Sequence, residues 1–424
     1  MSFTRQQLIF IGVVGVIIVV FLAILFAGGR KSTERVNLTV WGVDDELAWD
    51  YTIHQYQKSH PSVRIEYTEL TEDSYEEDLI NALAAGRGPD IFMINNRWTV
   101  KHADKTVPMP AGKLSTSDFT GLFPQVAEHD FLTAEGQIYG LPLSIDTLAL
   151  FYNRNIFDRK SVALPPKTWE EFLAVIPKLR SVDKSGNLTL AAAAVGESTE
   201  NIPNAPDILE LLMLQTGGLS PEEYPSDSVR SEEAGNALEF YIRFTSPTST
   251  AYAWNSSFPS AIESFAKGKV AMIFGYARDV ADIRAQNPFL NFAVAPAPQA
   301  DLNQAVTIAN YWGLAVSSKT QSPEAAWDFI LFAATDKDST SYYLNSTARP
   351  PALRSLIEER LNDVNFGVFA RQALTARGFF QGDDAAFREI FDGAIRKTLS
   401  GRSIYEILQE VEVELGTVES KYRQ

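Results

Sequence analysis

Apolar and polar residues alternate in two short stretches of this chain, Val36, Leu38 and Val40 within VNLTVW and Val63, Ile65 and Tyr67 within VRIEY. A period of two marks a strand with one face buried. Between them Leu47, Tyr51 and His54 recur at helical spacing, so the three segments form a β-α-β unit. The next helix is expected to open on a capping box of Ser74 and Glu77, to present Leu79 and Leu83 on one face, and to stop at Gly86. Pro89 forbids its continuation, and the apolar run from Ile91 to Ile94 has the character of a parallel strand buried on both faces. Two such units in succession predict a doubly wound α/β lobe. Further strands are expected at 148–152, 270–274 and 292–295. Further helices are expected at 168–180, capped by Thr168 and Glu171, and at 207–215, 231–244, 259–266, 323–334 and 403–421.

A different pattern precedes these units. Residues 8–27, LIFIGVVGVIIVVFLAILFA, are apolar throughout. Twenty helical residues at ~1.5 Å each cover roughly 30 Å, the hydrocarbon thickness of a bilayer. The run is longer than the ~7–15-residue apolar core of a secretory signal, and Leu25-Phe26-Ala27 is a poor cleavage site. It is expected to be an uncleaved transmembrane anchor between a cytoplasmic segment, 1–7, and a polar linker, 28–35. The flanking charges, Arg5 before and Arg30, Lys31 and Arg35 after, do not fix its orientation.

Composition narrows the function classes. The residues beyond the linker are too many for one ordinary core and suit two domains. A net charge of −16 opposes phosphate-backbone binding, so no nucleic-acid partner is expected. The absence of cysteine excludes disulfides, thiolate nucleophiles and a lipid-modified N-terminal cysteine. His54, His60, His102 and His129 lack the i, i+4 spacing of metal ligands on one helical face, and neither a metal nor a cofactor is expected. There is no G-x-S-x-G elbow or P-loop.

Several segments, taken in order, resemble the extracellular solute-binding proteins of carbohydrate-uptake ABC transporters, the maltodextrin-binding-like group. They are Asn81-Ala82-Leu83-Ala84-Ala85-Gly86 followed by Gly88-Pro89-Asp90-Ile91-Phe92, LPLSIDTLALFYNRNIF at 141–157, PPKTWEEF at 165–172, FAKGKVAMIFGY at 265–276, YWGLAVSSKTQSPEAAWDFILF at 311–332 and ARPP at 348–351. The resemblance covers about 36–420. It implies a two-lobed periplasmic-binding-protein-like α/β fold with a hinge, the first lobe formed by 36–145 plus 299–337 and the second by 146–298 plus 338–424. It also implies a non-enzyme that captures a carbohydrate between the lobes and delivers it to ABC permease subunits. Because such lobes serve environmental solutes, the globular part is expected outside a cell membrane that residues 8–27 cross once.

The family's ligand contacts map by resemblance onto Asp146 in the hinge strand and, with an offset of one residue, onto Asn96 and Arg97 beyond the Gly-Pro-Asp strand, where an amide replaces the usual aspartate. The expected ligand-binding set has eight residues: Asp146 and Asn96, Trp41 with Asp44 in the loop after the first strand, Asn95, Tyr276, Trp312 and Arg349. Aromatic faces suit the apolar C–H face of a sugar ring, and carboxylates, amides and guanidinium groups suit its hydroxyls. Trp98, Trp169 and Trp327 are read as packing residues. The chain departs from the family in its expected anchor and in GESTENIPNAP, 196–206, where Glu197 and Asn201 are candidates only. The alternatives are an extracytoplasmic sensor module and a membrane-tethered glycoside hydrolase, which needs two carboxylates about 5–10 Å apart that no motif singles out.

Overall fold

The structure is a computed structural model, described here for residues 35–422. Twelve strands are numbered in chain order: β1 Val36–Gly42, β2 Val63–Glu69, β3 Ile91–Asn95, β4 Leu141–Pro142, β5 Ala149–Asn153, β6 Ser181–Val182, β7 Leu188–Ala193, β8 Val270–Gly275, β9 Phe292–Pro296, β10 Thr307–Ile308, β11 Trp312–Val316 and β12 Ala376–Arg377. They form two five-stranded sheets, ordered β2-β1-β3-β11-β4 and β6-β7-β8-β5-β9, and a two-stranded sheet of β10 and β12. In the first sheet β1, β2 and β3 are parallel and β11 runs against both β3 and β4. In the second, β7 and β8 are parallel while β5 opposes β8 and β9.

Hydrophobic pattern explains which strands are central. Every residue of β3, β8 and β11 is buried, as the continuous apolar runs require of strands covered on both faces, whereas β2 lies at a sheet edge and alternates. Helices cover the faces. Thr168 caps the helix Trp169–Leu179 as expected: its hydroxyl accepts the Glu171 N–H at 3.1 Å, and the Glu171 carboxylate accepts the Lys167 N–H at 2.7 Å. The helix expected to open at Ser74 begins earlier, at Glu72. Glu72 and Asp73 favour the positive end of its dipole, and the Ser74 hydroxyl turns back to the Thr71 carbonyl instead of capping.

Each large sheet has its own core, and together they make the two-lobed α/β architecture. The chain passes from the first core to the second between Ile145 and Leu148, returns between Ile308 and Ala309, and leaves again beyond Ile357, where Phe369 packs with the second core and Ala370, Ala373 and Ala376 still pack with the first. The lobe limits therefore differ from the expected 299 and 337. Thr307 and Ile308 pair with Ala376 and Arg377 in the small sheet, and Ile308 packs with the second core. Tyr343, Leu344, Leu353, Leu356 and Ile357 pack with the first core, since the helix Lys337–Thr347 lies on the helix Asp50–Ser59. Gln372 fastens the crossings. Its Nε2 donates to Thr147 Oγ1 at 3.0 Å and to the Leu148 carbonyl at 3.2 Å, and its Oε1 accepts the Ala297 N–H at 2.9 Å.

The expectation of a membrane helix preceding this fold, and with it single-pass membrane topology and a membrane partner, is corrected. No helix among the described residues is long and apolar enough to cross a membrane. The segment that carried the expectation, 8–27, lies outside the described residues.

Candidate functional site

Beyond the carboxyl ends of β3 in the first lobe and β8 in the second, Arg97 and Tyr276 share Asp207 between the lobes, at the kind of edge where open α/β sheets bind ligands. Asn95 closes β3 opposite Trp312 of β11. Its Oδ1 accepts the Arg97 N–H at 3.0 Å and its Nδ2 donates to Asn310 Oδ1 at 2.9 Å. Asn96 accepts the Tyr311 N–H at 2.9 Å and donates to Asp130 Oδ2 at 3.0 Å, an oxygen that also accepts the Tyr311 hydroxyl at 2.7 Å. Both amides thus brace the turn after β3, and the turn directs Arg97 out of the first lobe.

Arg97 reaches the second lobe. Its Nη2 donates to Asp207 Oδ1 at 2.8 Å and its Nη1 to Asp384 Oδ1 at 3.0 Å, while Glu210 Oε2 lies 3.6 Å from Nη2. Asp207 also accepts the Tyr276 hydroxyl at 2.9 Å and Arg388 Nη1 at 2.5 Å. The side chain of Arg97 is 3% exposed and those of Asp207 and Glu210 are fully buried. Local sequence explains the pairing of the two acids. They stand three residues apart on the helix Ala205–Thr216, hence on one face, and Pro206 starts that helix with Asp207 in its first turn.

The electrostatics follow from burial set against partners. Burial disfavours the Arg97 charge, but Asp207, Asp384 and Glu210 outweigh it and strengthen its hold on the proton. Burial likewise penalises the Asp207 carboxylate, yet Arg388 and Arg97 keep it well below the ordinary carboxylate range. Glu210 goes the other way. Burial pushes its carboxyl up to about 8 despite Arg97, and neither of its oxygens has a hydrogen-bond partner.

Two more ion pairs join the lobes. Lys101 lies 3.2 Å from Asp383 and 2.9 Å from Glu76, and Arg278 lies 3.9 Å from Glu72. The lobes are therefore closed on one another. Between them is a cavity of about 150 Å³ whose lining includes Asn96, Arg97, Asp130, Phe379, Phe380 and Gln381. Gln381 Oε1 is buried there without a hydrogen-bond partner.

The eight expected ligand residues fall into separate groups. Asn95, Asn96 and Trp312 stand with Arg97 at one sheet edge, and Tyr276 joins them through Asp207. Trp312 meets Trp98 edge-on at 5.1 Å and Tyr75 at 5.7 Å between ring centroids, and the Tyr75 hydroxyl donates to the carbonyl of half-buried Trp41 at 3.1 Å. Asp44 and Arg349 form a pair of their own, 2.5 Å apart, with the Tyr343 hydroxyl donating to the other Asp44 oxygen at 2.6 Å. Asp146 holds the hinge. Its Oδ1 accepts the N–H groups of Thr147 and Ala277, both at 2.9 Å, and its Oδ2 that of Arg278 at 3.3 Å. Burial outweighs these donors and raises its pKa to about 6.

Sequence reasoning did not place Asp207, Glu210, Asp384 or Arg388 in the site. The legible signal was the pair of acids inside Ala205-Pro206-Asp207-Ile208-Leu209-Glu210-Leu211-Leu212-Met213, where a carboxylate surrounded by apolar residues calls for a buried partner.

Comparison with known proteins agrees with this architecture. The chain is 21% identical over 324 residues to a putative binding protein of Brucella abortus, across 73% of this chain and 74% of that protein. It is 23% identical over 365 residues to the galactooligosaccharide-binding protein of Bacillus subtilis, across 78% and 76% of the two chains. The crystal structure of the cyclic alpha-maltosyl-1,6-maltose binding protein from Arthrobacter globiformis superposes with a TM-score of 0.74 at 18% identity, covering 91% of this chain and 99% of that one, which shows the shared fold. Residues 52–364 match the family model of the bacterial extracellular solute-binding proteins, and the chain belongs to that non-catalytic, solute-binding family.

Proposed function

We propose that this chain captures a carbohydrate between its two lobes and delivers it to an ABC permease. The observation that carries the reading is Arg97, which leaves one lobe and is met by carboxylates of the other beside a cavity lined by Phe379 and Phe380. Such a junction supplies both kinds of contact a sugar uses, aromatic faces for its C–H groups and charged or amide groups for its hydroxyls. The named relatives that bind a galactooligosaccharide or a cyclic maltosyl-maltose support the carbohydrate class.

The cavity of about 150 Å³ is smaller than the ~300–1,000 Å³ of typical ligand pockets, so an oligosaccharide enters as the lobes part and is enclosed as they return. In this reading Asn96 touches the solute directly. Asn95, Trp312, Trp41 and Tyr276 shape the walls, the Asp44–Arg349 pair fixes the loop after β1, and Asp146 sets the hinge. A solute that contacts both walls favours the closed arrangement, and closure presents a joint surface for the permease to read.

Calorimetry across malto-, galacto- and chito-oligosaccharides, peptides and polyamines, paired with small-angle scattering, tests the reading. A carbohydrate should bind and lower the radius of gyration. Tight binding of a peptide or polyamine with no response to any carbohydrate overturns the substrate class, and turnover of a bound sugar overturns the binding role.

A further inference from the structure

The polar groups that border the interlobe cavity divide into those the protein itself occupies and those it leaves idle. Asp130 is the only carboxylate among the lining residues, and it already accepts from Asn96, Tyr311 and His129. Arg97, also in the lining, spends its charge on Asp207 and Asp384. Two lining groups remain. No carboxylate pairs with the half-buried Arg377 among the described residues, and its hydrogen bond goes to the neighbouring Ala376 carbonyl at 3.2 Å. Gln381 is 6% exposed, and its Oε1 has no partner. Both belong to the segment after β12. Gly378 lets that segment lie against the wall of the first lobe, since a Cβ there would stand 2.5 Å from His129 Nδ1 and 2.6 Å from Asp130 Oδ1.

We propose that the solute is an acidic carbohydrate, whose carboxylate or phosphate pairs with Arg377 while one of its hydroxyls donates to Gln381 Oε1. The inference rests on the carbohydrate-capture reading and narrows its substrate class. A neutral sugar offers hydroxyls, which suit idle carboxylates; here the lining carboxylate is taken, and the idle groups are a cation and an amide oxygen. A guanidinium matches a carboxylate or phosphate with two parallel N–H donors, and such charge-assisted bonds are about twice as strong as neutral ones. Phe379 and Phe380 border the same cavity and supply apolar surface for the C–H groups of the ring.

The net charge of −16 opposes an anionic solute at long range. At physiological ionic strength, however, exposed charges farther away than about 8 Å are largely screened, so the groups at the cavity decide. There the pairs are internally balanced, Arg97 and Arg388 by Asp207 and Asp384, and His129 faces Asp130. Arg377 is left over, and an anion at the cavity completes the set. Losing one hydrogen-bonded contact to a charged group weakens binding by roughly tenfold to a hundredfold, which sets the preference expected for an acidic sugar over its neutral counterpart.

The test is calorimetry on matched pairs: galacturonate and digalacturonate against galactose and galactobiose, glucuronate against glucose, and glucose 6-phosphate as the phosphate arm. The parent chain should bind at least one acidic member about tenfold or more tighter than its neutral partner, and the arm that responds says whether the anion is a carboxylate or a phosphate. Arg377→Gln should bring that ratio near one, and Arg377→Lys, which keeps the charge without the two-pronged geometry, should hold an intermediate ratio. Raising the salt concentration should weaken the acidic member more than the neutral one in the parent, a readout that needs no variant. Neutral sugars bound as tightly as acidic ones, a preference that survives Arg377→Gln, or equal salt dependence for the two members overturns the proposal and leaves carbohydrate capture standing. No binding of any carbohydrate, acidic or neutral, overturns the capture reading and the proposal with it.

Discussion

Asp207→Asn removes one charge from the junction of the lobes and keeps the shape of the side chain. In the parent this carboxylate accepts from three groups, Arg97, Tyr276 and Arg388, at 2.8, 2.9 and 2.5 Å, and no solvent reaches it. The amide offers one acceptor oxygen and turns an NH2 group toward a guanidinium, donor against donor. Arg97 and Arg388 are then left with Asp384 and with Glu210, which makes no hydrogen bond to either. Removing one partner of a buried ion pair costs about 3–5 kcal/mol, because the surviving charge is stranded. For a chain of this length, at ~2.1 cal/mol/K per residue, that lowers Tm by roughly 3–6 °C. Urea titration followed by tryptophan fluorescence should show a lower midpoint with an unchanged slope. The pH dependence is a second signature. The folded-state pKa of Asp207 is depressed, so its contribution is present above the ordinary value of 3.8 and lost as pH falls below it, and the gap between parent and variant should close in acid. A midpoint shift worth less than about 0.5 kcal/mol, the range of ordinary surface substitutions, would refute the buried, charge-paired description of the cluster.

Gly42→Ala should cost about 1–3 kcal/mol by overpacking, since a Cβ there stands 2.4 Å from the Tyr67 hydroxyl and 2.5 Å from Met93 Sδ. The same shift breaks the Tyr67 hydrogen bond to the Asp44 carbonyl, so solute affinity measured by calorimetry should fall along with Tm; an unchanged Tm contradicts the close packing of β1 on β2 and β3. Asp146 gives a pH signature of opposite sign to that of Asp207. Its folded pKa is raised to about 6 from 3.8, so the stability it contributes is full below 3.8 and is lost as pH rises toward 6. The stability difference between the parent and Asp146→Asn should therefore fall by about 1.4 kcal/mol per unit across that window, and a flat difference in urea titrations at pH 4, 5 and 6 excludes a fully buried hinge carboxyl.

Local pattern carried most of the fold, because it is set by neighbours a few residues apart. The alternation of Val36, Leu38 and Val40, the buried run from Ile91 to Ile94 and the Thr168–Glu171 cap all report on backbone that each segment organises for itself. The lobe limits were not legible in that way. Tyr343 belongs to the first core because its helix lies on the helix Asp50–Ser59, and nothing local distinguishes that surface from one facing the second core. The site shows the same division. Asn95, Asn96 and Asp146 were singled out because they end strands or cross the hinge; Asn95 and Asn96 brace the turn that carries Arg97, and Arg97 meets partners 110 and 287 residues away. One half of that pairing was nevertheless written in the sequence. A helix apolar on all sides that carries acids at i and i+3 cannot bury both as bare carboxylates, so either a cation arrives from elsewhere or a proton stays. Asp207 takes the first course, through Arg97 and Arg388, and burial pushes Glu210, whose oxygens have no hydrogen-bond partner, toward the second. The sequence pattern states that requirement; only the packing of the lobes says which acid meets it in which way.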